Sequence, residues 1–238
     1  MNKSEISLPS TAIILAGGLG TRLRSVITDI PKPMAPVRGK PFLAYLMDYW
    51  IEQGIENFVL SIGYLGDKIQ KYFGNQYCNK SIIYSFEQKP LGTGGGLRQA
   101  LFLLKEHNER AVILNGDTWY VVNLLEMCTS AKLPITLALK SMSESDRYSG
   151  VAIDSDKRIT AFGVDTSKST LVNGGCYLIE VKIIKEMLLR FPEKFSLEQD
   201  FLVPMATLGF VGASIQDQEF LDIGVPDDYK TAVNILPP

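Results

Sequence analysis

Two kinds of residue in this chain have the chemistry to handle phosphate, and both stand beside glycine. The first are donors. Gly17, Gly18 and Gly20 lie in Ala16-Gly17-Gly18-Leu19-Gly20-Thr21-Arg22, straight after the apolar run Ala12-Ile13-Ile14-Leu15. Without a Cβ, such a loop can lie close against a ligand and turn its N–H groups into an anion nest. Arg22 adds a planar fork of donors that suits phosphate oxygens. Lys32, held between Pro31 and Pro33, adds a point charge on a stiffened segment. Together they would cradle a nucleoside triphosphate; the plainer reading is a tight strand-to-helix turn with two solvated cations. Two other phosphate loops are excluded by letter. No Gly-x-x-x-x-Gly-Lys-Ser/Thr occurs, and Leu23 stands where a dinucleotide fingerprint would need a small residue. The second kind are acceptors. Asp117 follows Leu114-Asn115-Gly116, and Asp222 interrupts Phe220-Leu221-Asp222-Ile223. A carboxylate inside an apolar run is unusual unless it is paired or holds a metal. Two of them meeting on one Mg²⁺, with phosphate oxygens and water completing the octahedron, suit phosphoryl chemistry. Asp222 could equally turn a strand end.

These groups need elements to hold them. Ala12–Leu15 reads as a buried strand that empties into the glycine loop. Pro41 to Gln53 predicts a helix with Leu43, Leu46, Met47, Trp50 and Ile51 on one face, Pro41 at its first position and Gly54 as its stop. Strands are predicted at 57–62, 81–86 and 111–114, with helices at 66–73 and around Leu97, Ala100, Leu101 and Leu104. This alternation argues an α/β fold, a Rossmann-like three-layer sandwich with a mixed, mainly parallel central sheet. In such sheets ligands bind beyond the carboxyl ends of strands, where the glycine loop and Asp117 both fall. The second half predicts strands at 135–140, 150–153, 158–164 and 172–180, a hairpin turn at 154–157 and a helix at 181–190. A helix at 197–208 is opposed by Pro204. Short strands follow at 210–215 and 219–223, and a closing helix at 226–235 carries Pro226 first and Asp227 and Asp228 against its dipole. No linker or repeat divides the chain, so a single domain over 1–238 is expected, with a nucleotide half at about 10–130 and a sugar half at about 131–238.

Composition narrows the classes of function. The 238 residues are 46% hydrophobic, which opposes disorder. Lys plus Arg is 24 against 26 Asp plus Glu, so a broad nucleic-acid surface is excluded and phosphate affinity must be local. Cys78, Cys128 and Cys176 form neither zinc spacing nor a disulfide framework, and Met1–Ser10 has no apolar signal core. A cytoplasmic protein that neither binds nucleic acid nor enters a membrane is expected. His107 is the only histidine and sits among charged neighbours, which counts against Ser–His–Asp or Cys–His chemistry.

Leu15-Ala16-Gly17-Gly18-Leu19-Gly20-Thr21-Arg22-Leu23 followed by Pro31-Lys32-Pro33 resembles the signature of the sugar-1-phosphate nucleotidylyltransferases, which join a sugar 1-phosphate to a nucleoside triphosphate and release pyrophosphate. Asn115-Gly116-Asp117 and Asp222-Ile223-Gly224-Val225-Pro226 are similar to that family's two metal-binding motifs. The resemblance implies Arg22 and Lys32 as the catalytic cations, with Lys32 on the α-phosphate and the incoming phosphate. It implies Leu15, Ala16, Gly17, Gly18, Gly20, Thr21 and Asn115 around the nucleotide, and Asp117 and Asp222 on Mg²⁺. In Glu87-Gln88-Lys89-Pro90-Leu91-Gly92-Thr93, it places Gly92 and Thr93 on the nucleoside and Glu87 or Gln88 at the base edge. Tyr148-Ser149-Gly150-Val151 and Asn173-Gly174-Gly175 resemble the sugar motifs, which implies Gly150, Asn173 and Gly174 on the sugar; Asn173-Gly174 alone is also an ordinary turn pair. One motif departs: Ala161-Phe162-Gly163-Val164-Asp165 stands where the family carries Phe-x-Glu-Lys-Pro, and Lys168 or Arg147 would have to substitute. Within the family the likeness is greatest to guanylyltransferases of D-glycero-α-D-manno-heptose 1-phosphate. That implies GTP and this sugar phosphate as partners, a GDP-heptose for surface polysaccharide as product, and admits a homo-oligomer. Mannose 1-phosphate guanylyltransferase, hexose 1-phosphate uridylyl- or thymidylyltransferase, and an inactive sugar-nucleotide-binding regulator stay open.

Overall fold

A computed structural model describes residues 7–18, 29–105, 108–142, 148–165 and 170–237. The first half runs β1 (Thr11–Leu15), a 3₁₀ turn (Lys32–Met34), β2 (Pro36–Val37), β3 (Lys40–Pro41), α1 (Phe42–Glu52), β4 (Asn57–Ile62), α2 (Gly66–Phe73), β5 (Gln76–Tyr77), β6 (Lys80–Phe86), α3 (Gly92–Leu101) and β7 (Arg110–Asn115). The second runs β8 (Thr118–Tyr120), α4 (Leu124–Ser130), β9 (Ile135–Ser141), β10 (Gly150–Ile153), β11 (Ile159–Val164), β12 (Leu171–Glu180), α5 (Val181–Leu188), a π-helical segment (Leu197–Leu202), α6 (Val203–Thr207), β13 (Val211–Ile215), β14 (Phe220–Asp222) and α7 (Pro226–Ile235).

One mixed sheet carries most of these strands, in the order β11-β10-β12-β7-β1-β4-β6-β5, with β9 pairing β12 and β13 pairing β9. Its centre is parallel: β1 lies between β4 and β7, and β6 continues beyond β4. β1, β4 and β7 are mainly apolar runs because both faces are covered, whereas β6 alternates buried and exposed residues. Ala12 and Ile14 meet the side chains of α1, α2 and α4, including Leu43, Met47, Ile69 and Met127. Ile13 faces the opposite layer with Leu97, Leu101, Ile184 and Phe201. The alternation along β1 therefore makes the three layers. The ten-residue β12 joins the halves, antiparallel to β7 on one side and to β9 on the other. A separate two-stranded ribbon, β8 with β14, packs with α7 and the start of α1 around Trp119, Leu221, Ile223 and Phe42.

Several elements differ from expectation for physical reasons. Pro41 caps α1 rather than opening it, because it belongs to the short β3. The glycines at 94–96 are part of α3 itself: a Cβ at Gly94 would overlap the Phe195 ring, and one at Gly95 the Glu193 carbonyl. Close packing of a neighbouring segment, and not looseness, explains the composition there. The predicted 197–208 helix is two pieces, a wide π-helical turn and then α6. Pro204 sits in the first turn of α6, where its missing N–H costs nothing. Asn173-Gly174-Gly175 is no reverse turn but an irregularity inside β12, where the register with β9 shifts between Asn173 and Tyr177. Asp154 does turn the 154–157 hairpin, its Oδ1 accepting from the N–H groups of Asp156 and Arg158 at 2.9 Å each. Among the described residues, no helix is long and apolar enough to cross a membrane.

Candidate active site

Strand β7 ends in Asn115, and Gly116 then turns the chain tightly. Its N–H donates to the Leu15 carbonyl at 2.9 Å, and a Cβ there would lie 2.8 Å from that oxygen. Only glycine lets the end of β7 close on the end of β1 this tightly. Asp117 is thereby delivered beside the first residues of the glycine loop. Asp222 arrives from more than a hundred residues away on the ribbon: Thr118 pairs with Asp222, and the Ile223 N–H donates to the Asp117 carbonyl at 3.0 Å. Apolar side chains on either side of these carboxylates, Trp119 and Leu221 above all, bury the ribbon and fix its register.

Between the two aspartates stands Lys32. Its 3₁₀ turn is closed by Met34 N–H to the Pro31 carbonyl (2.8 Å) and Ala35 N–H to the Lys32 carbonyl (3.0 Å), with Pro33 and Met34 buried beneath. The Nζ atom donates to Asp117 Oδ2 at 2.5 Å and lies 3.6 Å from Asp222 Oδ1. The Gly224 N–H holds Asp222 Oδ1 at 2.7 Å, and a Cβ on Gly224 would overlap the Lys32 ammonium. Thr118 Oγ1 donates to Asp117 Oδ1 at 3.3 Å. Two carboxylates thus converge on one position already filled by a cation. Among the described residues no cluster of three or more His, Cys, Asp or Glu side chains could hold a metal by itself. A pair of carboxylates suits Mg²⁺, which keeps waters and takes phosphate oxygens rather than a full protein cage.

The residues expected around the nucleotide begin at the same end of the sheet. The Ala16 N–H donates to the Ser61 carbonyl at 2.8 Å, and a Cβ on Gly17 would overlap the Glu87 carboxylate. Gly18 is exposed, with no described atom within 4 Å of where a Cβ would be. Gly20, Thr21 and Arg22 lie outside the described residues. Glu87 sits beneath the loop. Its Oε2 accepts from the Leu91 N–H at 3.1 Å and its Oε1 from Ser61 Oγ at 3.3 Å, so the carboxylate ties the end of β6 to β4 and to the start of α3. Gly92 takes φ +73°, with Phe195 backbone where a Cβ would be. Thr93 Oγ1 accepts from the Leu197 N–H at 2.9 Å and so anchors the π-helical segment to the nucleotide side.

On the sugar side, Gly150 is buried in β10 opposite Val172. Asn173 accepts from the Gly175 N–H at 3.0 Å and donates to the Tyr177 hydroxyl at 3.1 Å. The Tyr120 ring fills the space beside Gly174, and Gly175, at φ +70°, leaves room for the Asn115 side chain. The nucleotide-side Asn115 therefore touches the sugar-side irregularity directly. Tyr177 is buried among Leu197 and Phe201. Burial pushes its phenol well above the usual range, the Asn173 hydrogen bond opposes this, and the charges of Glu198 and Asp117 push the same way as burial. Glu198, on the π-helical segment, is half-buried, and its charge, like that of Asp117, acts on Tyr177. Reading the sequence gave no sign of it, since a helix broken by Pro204 does not show which of its carboxylates come near Tyr177. Gly163, in the departed motif, has φ +73°, with no described atom within 4 Å of where a Cβ would be, while Lys168, Arg147 and His107 lie outside the described residues.

Known proteins are similar to this chain in sequence and fold. A Nucleotidyl transferase family model matches residues 11–237. The D-glycero-alpha-D-manno-heptose 1-phosphate guanylyltransferase of Aneurinibacillus thermoaerophilus is 47% identical over 225 residues, covering 93% of this chain and 96% of that protein. The protein of the same name from Campylobacter jejuni is 43% identical over 219 residues, covering 92% and 96%. The crystal structure of HddC from Yersinia pseudotuberculosis complexed with GMP-PN superposes with a TM-score of 0.81 at 34% identity, covering 94% of this chain and 98% of that one. A match across nearly the whole length, over a parallel-centred sheet whose strand ends gather a glycine loop, a lysine and two aspartates, establishes that the chain belongs to the nucleotidyl transferase family as a sugar-1-phosphate nucleotidylyltransferase.

Proposed function

We propose that this enzyme transfers a guanylyl group from GTP to D-glycero-α-D-manno-heptose 1-phosphate, releasing pyrophosphate and forming the GDP-heptose. The two heptose-specific relatives support the substrate pair, and the convergence of Asp117 and Asp222 on one cation position carries the reaction class. The sugar phosphate is already an anionic nucleophile at neutral pH, so no strong general base is needed. One of its oxygens forms a new bond to the α-phosphorus in line, as the bond from that phosphorus to the bridging oxygen of pyrophosphate breaks. Catalysis is then positioning and charge stabilisation.

Each residue has a role in that step. Asp117 and Asp222 would hold Mg²⁺, which when bound offsets charge on the phosphates. The glycine loop from Leu15 and Ala16 through Gly17, Gly18, Gly20 and Thr21 wraps the triphosphate, with Arg22 and Lys32 as its cations. Glu87 supports this loop from below, and Asn115, Gly92 and Thr93 border the nucleoside. Asn173 and the backbone at Gly150 and Gly174 border the sugar. Glu198 takes the place of the acidic residue absent from the Gly163 region and accepts hydrogen bonds from sugar hydroxyls. The test is pyrophosphate release across GTP, UTP and dTTP with heptose, mannose and glucose 1-phosphates. GTP with the heptose phosphate should turn over fastest, and Asp222→Asn should lower its rate by about 10²-fold or more, the scale of several kcal/mol of lost charge stabilisation. Turnover with no pair would favour the inactive regulator; preference for mannose or glucose phosphate would overturn the sugar assignment.

A further inference from the structure

The Lys32 ammonium occupies the one position toward which both aspartates point. Its side chain is only 14% exposed, and Asp117 and Asp222 stand at 2.5 and 3.6 Å. Gly224 leaves the space that the ammonium fills, and the Gly224 N–H orients the Asp222 carboxylate toward it. A divalent ion cannot share this position. Two cations a few ångströms apart, partly out of water, repel strongly. A lysine driven from both carboxylates must also find other anions, because an unpaired and largely buried ammonium is costly. The nearest anions available are those of a triphosphate bound where the glycine loop begins, since Gly116 ties the end of β7 to Leu15 and sets Asp117 close to it. Lysine suits this exchange: it is a compact charge on a flexible four-carbon stem, free to swing while Pro31 and Pro33 hold its backbone still.

We propose that Lys32 is the exchangeable counter-ion of the aspartate pair, so that metal and triphosphate enter together. In the substrate-free protein Lys32 competes with divalent cations for Asp117 and Asp222. When triphosphate binds, Lys32 moves to its oxygens and releases the carboxylates to the metal. The two ligands are thereby coupled through one side chain, each tightening the other by the same factor. This rests on the proposed role of the aspartates as metal ligands and is independent of which base or sugar the enzyme uses.

The test needs neither substrate nor turnover. Mn²⁺ is titrated into the nucleotide-free full chain, and free Mn²⁺ is followed by electron paramagnetic resonance. Lys32→Met should bind Mn²⁺ about tenfold tighter than wild type or better, as removal of a competing charge a few ångströms away requires. Lys32→Arg, which keeps the cation, should bind as weakly as wild type. Adding Asp222→Asn to Lys32→Met should abolish the gain. Equal affinity in Lys32→Met and wild type would overturn the exchange, and a gain that survives Asp222→Asn would place the new binding elsewhere and overturn it too. Should Lys32→Met prove unstable without metal, Lys32→Gln serves instead, read by melting temperature. Its rise on adding Mn²⁺ should exceed that of wild type, and equal rises would again contradict the exchange. Loss of the heptose assignment in the turnover panel would leave all these outcomes unchanged.

Discussion

At the residue scale, the site depends on a few charged groups whose partners are unusual. Lys32 spends its ammonium on two carboxylates, and Glu87 spends both oxygens on Ser61 and Leu91 beneath the loop. Each oxygen keeps a further lone pair, so these bonds leave Glu87 able to accept another donor. Glu198 differs: it is half-buried, and among the described residues it has no cationic partner. Its charge bears on Tyr177, whose hydroxyl is bonded to Asn173. Glu198→Gln keeps the shape and removes the charge. A charge-assisted hydrogen bond of about 1.5–3 kcal/mol would then be weakened, so kcat/KM for the heptose phosphate should fall by about tenfold or more. KM for GTP should stay unchanged, and steady-state kinetics with each substrate varied in turn would separate the two. An equal rise in both KM values would mean that Glu198 supports the fold of the site and does not touch the sugar.

At the element scale, short irregular pieces carry more of the site than the long regular ones. α3 begins inside a glycine cluster because the Phe195 ring lies on Gly94. Gly94→Ala should destabilise the protein by about 1–3 kcal/mol through overpacking, seen as a lower urea midpoint with unchanged slope. Full stability would mean that Phe195 swings away freely. The regular elements were legible in the sequence: β4, α2, β10 and α7 stand where apolar spacing, Gly66, Gly150 and Pro226 put them. The sequence marked Lys32 and both aspartates as residues for one site, and the structure brings these three together. What stayed hidden depends on contacts between distant segments. Nothing local in Thr118-Trp119-Tyr120 announces a three-residue strand; it exists because Phe220-Leu221-Asp222 pairs with it. The π-helical turn at Leu197–Leu202 likewise depends on its cap at Ser196 and on Thr93, which is a hundred residues away.

At the scale of the whole molecule, tyrosines tie the core to the surrounding polar network. The Tyr49 hydroxyl donates to the Val122 carbonyl at 2.9 Å, joining α1 to the segment after β8, and burial raises its phenol to about 12. Burial likewise raises Tyr84 to about 12 and pushes Tyr120 higher still. In the unfolded chain these groups release protons near 10.0, before the folded protein does. Their contribution to stability is therefore complete below that pH and falls as pH rises toward 12. Chemical denaturation from pH 8 to 11 should show a flat region and then a decline above about pH 10, and Tyr49→Phe should make the decline shallower. The same global packing brings segments more than a hundred residues apart to one cation, and the function depends on that meeting. The most direct test is anomalous diffraction from crystals grown with Mn²⁺ and a non-hydrolysable GTP analogue. One manganese peak bonded by both Asp117 and Asp222, with Lys32 moved onto the triphosphate, is the predicted result. A metal held elsewhere, or by one aspartate while Lys32 still grips the other, would contradict it.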